Sequence, residues 1–169
     1  MAINRQKVLL KAEKALSSNK LPEAIAEFKS LVDDNPRDMN MLSRLADIYA
    51  RANKIPEAID SFNKVADFLA KDGFYMKAIA IHKRVIRLDP NSLQTHEKMA
   101  ELYIQQGLSG EAKASLEVVS KHYLTVGQLD MALQVLRKMV ELAPDDLAAR
   151  SALGELYHKT GRTAEAVKE

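Results

Sequence analysis

The chain has 169 residues, 47% of them apolar, which is ample for a buried core, and a formal net charge of +2 that by itself favours neither a nucleic acid nor an acidic surface as partner. It contains no cysteine, which excludes a disulfide framework and thiol chemistry. No stretch approaches the roughly 20 apolar residues of a membrane span, and Met1 to Leu10 holds only a Val-Leu-Leu run, too short for a secretion signal, so a soluble cytoplasmic protein without membrane insertion is the expectation.

The elements read as helices throughout. A first helix spans roughly Asn4 to Ser18, with Val8, Ala12 and Ala15 on its buried stripe. Pro22 opens the second at its first turn, where a missing N–H costs nothing; that helix buries Ala24, Phe28 and Leu31 and breaks around Pro36. The third, Met39 to Ala52, buries Leu42, Leu45, Ala46 and Tyr49, and the fourth, opened by Pro56, buries Ala58, Phe62, Val65, Ala66 and Leu69. The fifth, about Phe74 to Leu88, carries Ala78, Ile81, Val85 and Leu88 and ends at Asp89-Pro90. The following residues replay this block: Tyr49 becomes Tyr103, Val65 becomes Val119, Gly73 becomes Gly127 and Pro90 becomes Pro144. No strand alternation or low-complexity linker interrupts the pattern.

The replay has a period. Ala24, Ala58, Ala78, Ala112, Ala132 and Ala166 stand 34, 20, 34, 20 and 34 residues apart, so the unit is 54 residues, the range of stacked helical hairpins. Five residues before each alanine sits Asn19, Asn53, Gly73, Gly107, Gly127 or Gly161, residue types that enter the left-handed region at low cost and stop a helix. Twenty residues hold one helix and a turn, so Pro56–Lys71 and Gly110–Thr125 must each serve two hairpins. Pro36, Pro90 and Pro144 close the ordinary hairpins, whereas the equivalent places inside the shared helices hold Ala70 and Leu124.

On these residues the chain resembles the tetratricopeptide repeat family. The stretch from Leu93 shows Met99, Ala100, Tyr103, Gly107, Ala112 and Leu116, and the stretch from Leu147 shows Leu153, Gly154, Tyr157, Gly161 and Ala166. Coverage runs from about Arg5 to the last residue; the departures are the absence of Trp, His96 and Arg150 where a large apolar residue usually opens a repeat, and His82 in place of an aromatic. The resemblance implies an all-α, right-handed solenoid of about ten antiparallel helices, a single domain over residues 1–169. Because residue 169 falls inside a returning helix, the chain reads as a piece of a longer protein.

No catalytic, cofactor-binding or metal-binding constellation stands out, and we expect no enzyme. The four histidines show no i, i+4 pair and no His-Glu-x-x-His run; His82 and His96 fit core packing, His122 and His158 a solvated surface. A row of acids, Glu13, Asp47, Asp67, Glu101 and Glu155 with Lys121 as the exception, faces away from the core stripe. The resemblance implies that this side lines a concave groove for an extended peptide or partner helix, with Asn40, Ser43, Arg51, Gln94, Glu97 and Gln105 beside it. The expectation is a protein–protein interaction scaffold with a mildly acidic groove favouring a basic segment; a merely solvated face is the competing reading. The cations with which chaperone-binding members hold a terminal carboxylate are absent, since Leu9 and Glu13, Ser43 and Asp47, and Glu97 and Glu101 stand in those places.

Lys77, Lys83, Arg84 and Arg87, and further on Arg137 and Lys138, make small cationic patches on returning helices, too few for nucleic acid and readable as solvated outer faces. Phe68, Phe74 and Tyr75 cluster at the Gly73 turn, whereas residues 54 positions later are His122, Gln128 and Leu129. That knot either seals the core edge or lets the chain self-associate as a homo-oligomeric adaptor. A third reading makes the chain a regulatory module of a larger protein.

Overall fold

The computed structural model describes residues 4–169; Met1–Ile3, part of the stretch read for a leader, lie outside the described residues. These residues form ten helices and no strand: α1 (Arg5–Ser17), α2 (Leu21–Asp34), α3 (Met39–Arg51), α4 (Ile55–Lys71), α5 (Tyr75–Leu88), α6 (Leu93–Gln105), α7 (Ser109–Thr125), α8 (Leu129–Leu142), α9 (Leu147–Lys159) and α10 (Thr163–Lys168). They gather into two compact units, the first ending at Pro90 and the second beginning at Asn91.

Two kinds of stop separate the helices. All six expected positions are left-handed, from φ 53° at Asn19 to φ 80° at Gly73. After each, the next N–H reaches back five residues, as Lys54 N–H does to the Tyr49 carbonyl at 2.8 Å and Phe74 N–H to Leu69 at 2.8 Å, so the last helical carbonyls are satisfied. The other stop precedes proline: Asn35, Asp89 and Ala143 are extended at φ −137°, −137° and −143°, because a proline ring clashes with a helical residue before it. α4 and α7 lie between two left-handed stops and contain no internal proline stop, so each continues unbroken for 17 residues. α4 packs against both α3 and α5, and α7 against both α6 and α8.

In the first unit, Ala12, Ala15, Ala24, Phe28, Leu31, Leu45 and Ile48 close one cluster, and Ala46, Ala58, Phe62 and Val85 another. α3 therefore faces core on two sides. In the second unit a single cluster runs from Ala100 and Leu116 through Val119, Ala132, Leu136 and Met139 to Leu153 and Tyr157. Burying a side chain the size of Phe28 or Phe62 stabilises the fold by about 1.5–3 kcal/mol. The periodic alanines from Ala24 to Ala132 have no exposed surface, and a larger side chain there would push adjacent helices apart.

One stripe is rotated from expectation. α5 buries Ala78, Ile79, His82 and Val85, while Ile81 and Leu88 only flank the cluster. Tyr49 and Leu69 are likewise half-buried. His82 is 1% exposed and packs where an aromatic was expected.

Candidate functional site

Two arginines of the first unit reach past the neighbouring helix. Arg44 on α3 donates to Glu13 on α1, and Arg84 on α5 pairs with Asp47 on α3 while its Nη1 donates to Ser43 Oγ at 3.3 Å. α1, α3 and α5 therefore lie side by side in one layer, with α2 and α4 in the other. Each arginine also covers a phenylalanine of the intervening helix: Arg44 lies 4.8 Å from the Phe28 ring centre and Arg84 lies 4.3 Å from that of Phe62. The guanidinium plane lets one side chain stack on a ring and fork onto a carboxylate together, which lysine cannot do. Burial draws the Arg84 guanidinium below its ordinary value, and the neighbouring Arg87 charge adds to that.

The second unit alternates in the same way. Lys113 on α7 pairs with Asp146, which caps the start of α9 by accepting from the N–H groups of Ala148 and Ala149. Arg162, just before α10, pairs with Asp130 on α8 at 3.2 Å. So α7 and α9 share one layer, and α6, α8 and α10 the other. Hydrogen bonding to Lys113 and to the Ala149 N–H holds the Asp146 carboxyl below its ordinary value, and the same contact raises Lys113.

The expected row of acids is redistributed by this layering. Glu13, Asn40, Ser43, Asp47 and Arg51 do come together on the α1/α3 side of the first unit. Asp67 belongs to α4, in the other layer. Gln94, Glu97, Glu101 and Gln105 share α6, but Glu155 sits on α9, in the layer opposite α6. The shared helix is the reason: one extra rod between hairpins exchanges the layers occupied by first and second helices. Glu155 also accepts from Ser151 at 3.3 Å on its own helix.

Nor is the row free acid. Glu13 and Asp47 are each paired with arginine, and Glu97 accepts from the Tyr123 hydroxyl at 2.9 Å, a bond that raises the Tyr123 pKa. α1, α3 and α5 together carry ten Lys and Arg against two acids, whereas α2 and α4 carry three against seven. Counted by helix, the layer that holds Glu13 and Asp47 is thus rich in cations in the first unit. The Lys77–Arg87 stripe, read from the sequence as a solvated outer face, supplies much of that charge. What the sequence hid was which helix α5 lies beside; the useful sign was a basic stripe with no acid on its own helix.

Between α3 and α5 lies a cleft of about 260 Å³ lined by Asp47, Ala50, Phe62, Arg84, Arg87 and Leu88. On the opposite side of α3, a second cleft of about 430 Å³ is lined by Val32, Leu42, Tyr49, Pro56 and polar residues of α2 and α4. Burial there raises the Tyr49 pKa, with the Glu57 and Asp33 charges acting in the same direction.

The Gly73 turn exposes Phe74 by 50% and Met76 by 55%, with Phe68 at its edge, while Tyr75 is half-buried. Lys77 Nζ stands 4.7 Å from the Phe74 ring centre. The knot has a counterpart after all, because the Gly127 turn exposes Leu124, Val126 and Met131 at shifted positions. His96 is half-buried, and His122 and His158 are exposed. Among the described residues no group of three or more His, Asp or Glu side chains could hold a metal ion, and no helix is long and apolar enough to cross a membrane.

Models of the tetratricopeptide repeat match residues 9–73 and residues 123–169. No curated protein matches the chain. Solved structures similar to it include a thermophilic protein of this repeat class from Thermus thermophilus, at 20% identity and TM-score 0.36 over 90% of this chain and 98% of that one. Another is a tetratricopeptide repeat protein from Parabacteroides merdae, at 16% identity and TM-score 0.35 over 97% and 76% of the two chains. MamA of Desulfovibrio magneticus is a third, at 16% identity and TM-score 0.34 over 99% and 92%.

Proposed function

The chain belongs to the tetratricopeptide repeat family, and from that premise we propose that it is a non-catalytic scaffold holding an extended peptide or a helix of a partner protein on its polar helix faces. The observation that carries this reading is the α1/α3/α5 face of the first unit. There Ser43, Arg44, Asp47 and Arg84 are fixed across helices by ion pairs and stacking, so a ligand would meet side chains whose rotamers are already set. Asn40 and Arg51 extend that surface along α3, and Gln94, Glu97, Glu101 and Gln105 form the corresponding strip on α6. Glu155 belongs to a separate contact on α9.

A photo-crosslinking amino acid placed at Asn40 or Gln94, compared with one at Lys29 or Asp60 on α2 and α4, tests the proposal in the native host. Adducts confined to the first two positions are expected. Equal yields from all four positions would remove this face as the docking surface.

A second reading is self-assembly through the turn clusters, favoured by the exposure of Phe74 and Met76. Light scattering after size exclusion should then show a dimer that Phe74→Ser dissolves. A monomer at every concentration would end that reading.

A further inference from the structure

The cleft between α3 and α5 pairs an apolar floor with an unbalanced charge. Ala50, Phe62 and Leu88 form the floor, and Arg84 and Arg87 form one wall. Asp47 is the single acid lining the cleft and is already engaged by Arg84, whereas Arg87 is exposed and forms no ion pair among the described residues. One turn beyond Asp47, Arg51 adds another exposed cation on α3. No acid is present on α5 to answer its four cations. A surface of this kind recruits anions in solution and attracts a ligand that brings its own.

We infer that this cleft docks an acidic segment of a partner protein, a carboxylate meeting Arg87 and the outer edge of Arg84 while a neighbouring aliphatic side chain covers the partly exposed Ala50 and Leu88 beside the buried Phe62 ring. The inference rests on the scaffold reading and adds the chemistry of its ligand. A peptide fits better than a nucleic acid. The aromatic ring that lines the cleft, Phe62, is 2% exposed and lies beneath Arg84, so it offers no open face for base stacking. The volume of about 260 Å³ suits one or two aliphatic side chains. The cleft differs from a carboxylate clamp on first helices, because its arginines come from α5, which by sequence is a second helix.

Fluorescence anisotropy of the full chain with a labelled dodecapeptide of alternating Glu and Leu tests the inference, against the Lys and Leu analogue and a 12-nucleotide thymidine strand. At low ionic strength the acidic peptide should bind and the lysine analogue should not. Arg87→Glu should weaken binding by about tenfold, corresponding to about 1.4 kcal/mol. Arg87→Gln should weaken it less, and Lys71→Glu, the same charge change on α4, should leave it within about twofold, since a charge in the other layer is screened over roughly 10 Å. Circular dichroism of each variant separates lost binding from lost folding.

Equal weakening by Arg87→Glu and Lys71→Glu would reduce the effect to net charge and overturn the site. Tighter binding of the lysine peptide or of the oligonucleotide would overturn the ligand class. Failure of the acidic peptide while Asn40 still crosslinks would remove the acidic preference and leave the scaffold standing; loss of both would remove both.

Discussion

Helices α3, α4 and α5 of the first unit have 13, 17 and 14 residues, and α6, α7 and α8 of the second have the same three lengths. Their buried positions also correspond: Ala46 with Ala100, Ala58 with Ala112, Ser61 with Ser115, Phe62 with Leu116, Val65 with Val119, His82 with Leu136 and Val85 with Met139. The polar positions do not correspond. Arg44 and Arg84 are matched by Lys98 and Lys138, Arg87 by Glu141, Arg51 by Gln105 and Ser43 by Glu97. Where Lys138 replaces Arg84, the ring beneath is lost too, since Phe62 is matched by Leu116. In the second unit the layer of α6, α8 and α10, which holds the counterparts of α3 and α5, carries four Lys and Arg against five acids, close to balance. The same packing scheme thus supports one strongly polarised block and one neutral block. Steric demand holds the core positions, while the faces are left to differ with whatever each block must bind.

The largest expected effect tests whether the shared scheme is energetically equivalent in the two blocks. Phe62→Ala should cost about 3–5 kcal/mol and Leu116→Ala about 2–5 kcal/mol in urea unfolding, from lost burial plus the cavity left behind. Because the Phe62 ring also seats Arg84, its loss should weaken acidic-peptide binding, whereas Leu116→Ala should not. Equal effects of both on binding would dissolve the distinction between the blocks. A smaller effect concerns the stops. Gly73 and Gly127 are left-handed with nothing near an added Cβ, so alanine there should cost about 1–2 kcal/mol from backbone strain alone. Asn53 already tolerates φ 55° where the second block has Gly107, so Asn53→Gly should change stability by well under 1 kcal/mol, measured by the same unfolding curve.

Much of the fold was readable because its determinants are local. A left-handed residue, an extended residue before proline and a run of apolar spacing each act within a turn or two, and from them all ten helices and both unbroken 17-residue rods could be anticipated. The site was less legible because its determinants are not local. Nothing near Asp47 announces that Arg84, 37 residues on, will cross to it, and nothing near Glu97 announces Tyr123. Layer assignment was the hidden variable. An extra helix leaves the periodicity of α6 and α9 intact yet puts Glu101 and Glu155 on opposite layers, so a row drawn by sequence position was not a row in space.

Acid should affect the blocks unequally as well. The Asp146 carboxyl is held below its ordinary value by Lys113 and the α9 amides, so the folded state favours its ionised form. The contribution is present above the unfolded carboxyl pKa of about 4 and is lost as pH falls through the lower folded value. Protection of the amides at the start of α9, taken relative to the intrinsic exchange rate at each pH, should fall below about pH 4, and Asp146→Asn should flatten that dependence. An unchanged acid response in the variant would show that the Lys113 contact contributes no linkage.

The smallest effect is the one that bears on what the first block's arginines are for. Arg84 and Asp47 retain 30% and 47% of their side-chain exposure, and an ion pair that open to water is worth about 0.2–1 kcal/mol. A double-mutant cycle with Asp47→Asn and Arg84→Met should return a coupling in that range, shrinking as salt is raised. The counterpart cycle with Glu101→Gln and Lys138→Met should return less, because no such pair is seen between those residues. If the first coupling proves as small as the second, the Asp47–Arg84 pair contributes little to folding, and its use would lie in fixing the rotamer of Arg84 beside Arg87. If it exceeds about 2 kcal/mol, well above the range for exposed pairs, the pair is structural. The polarised face would then be a consequence of how α5 is held against α3 and not a surface shaped for a ligand.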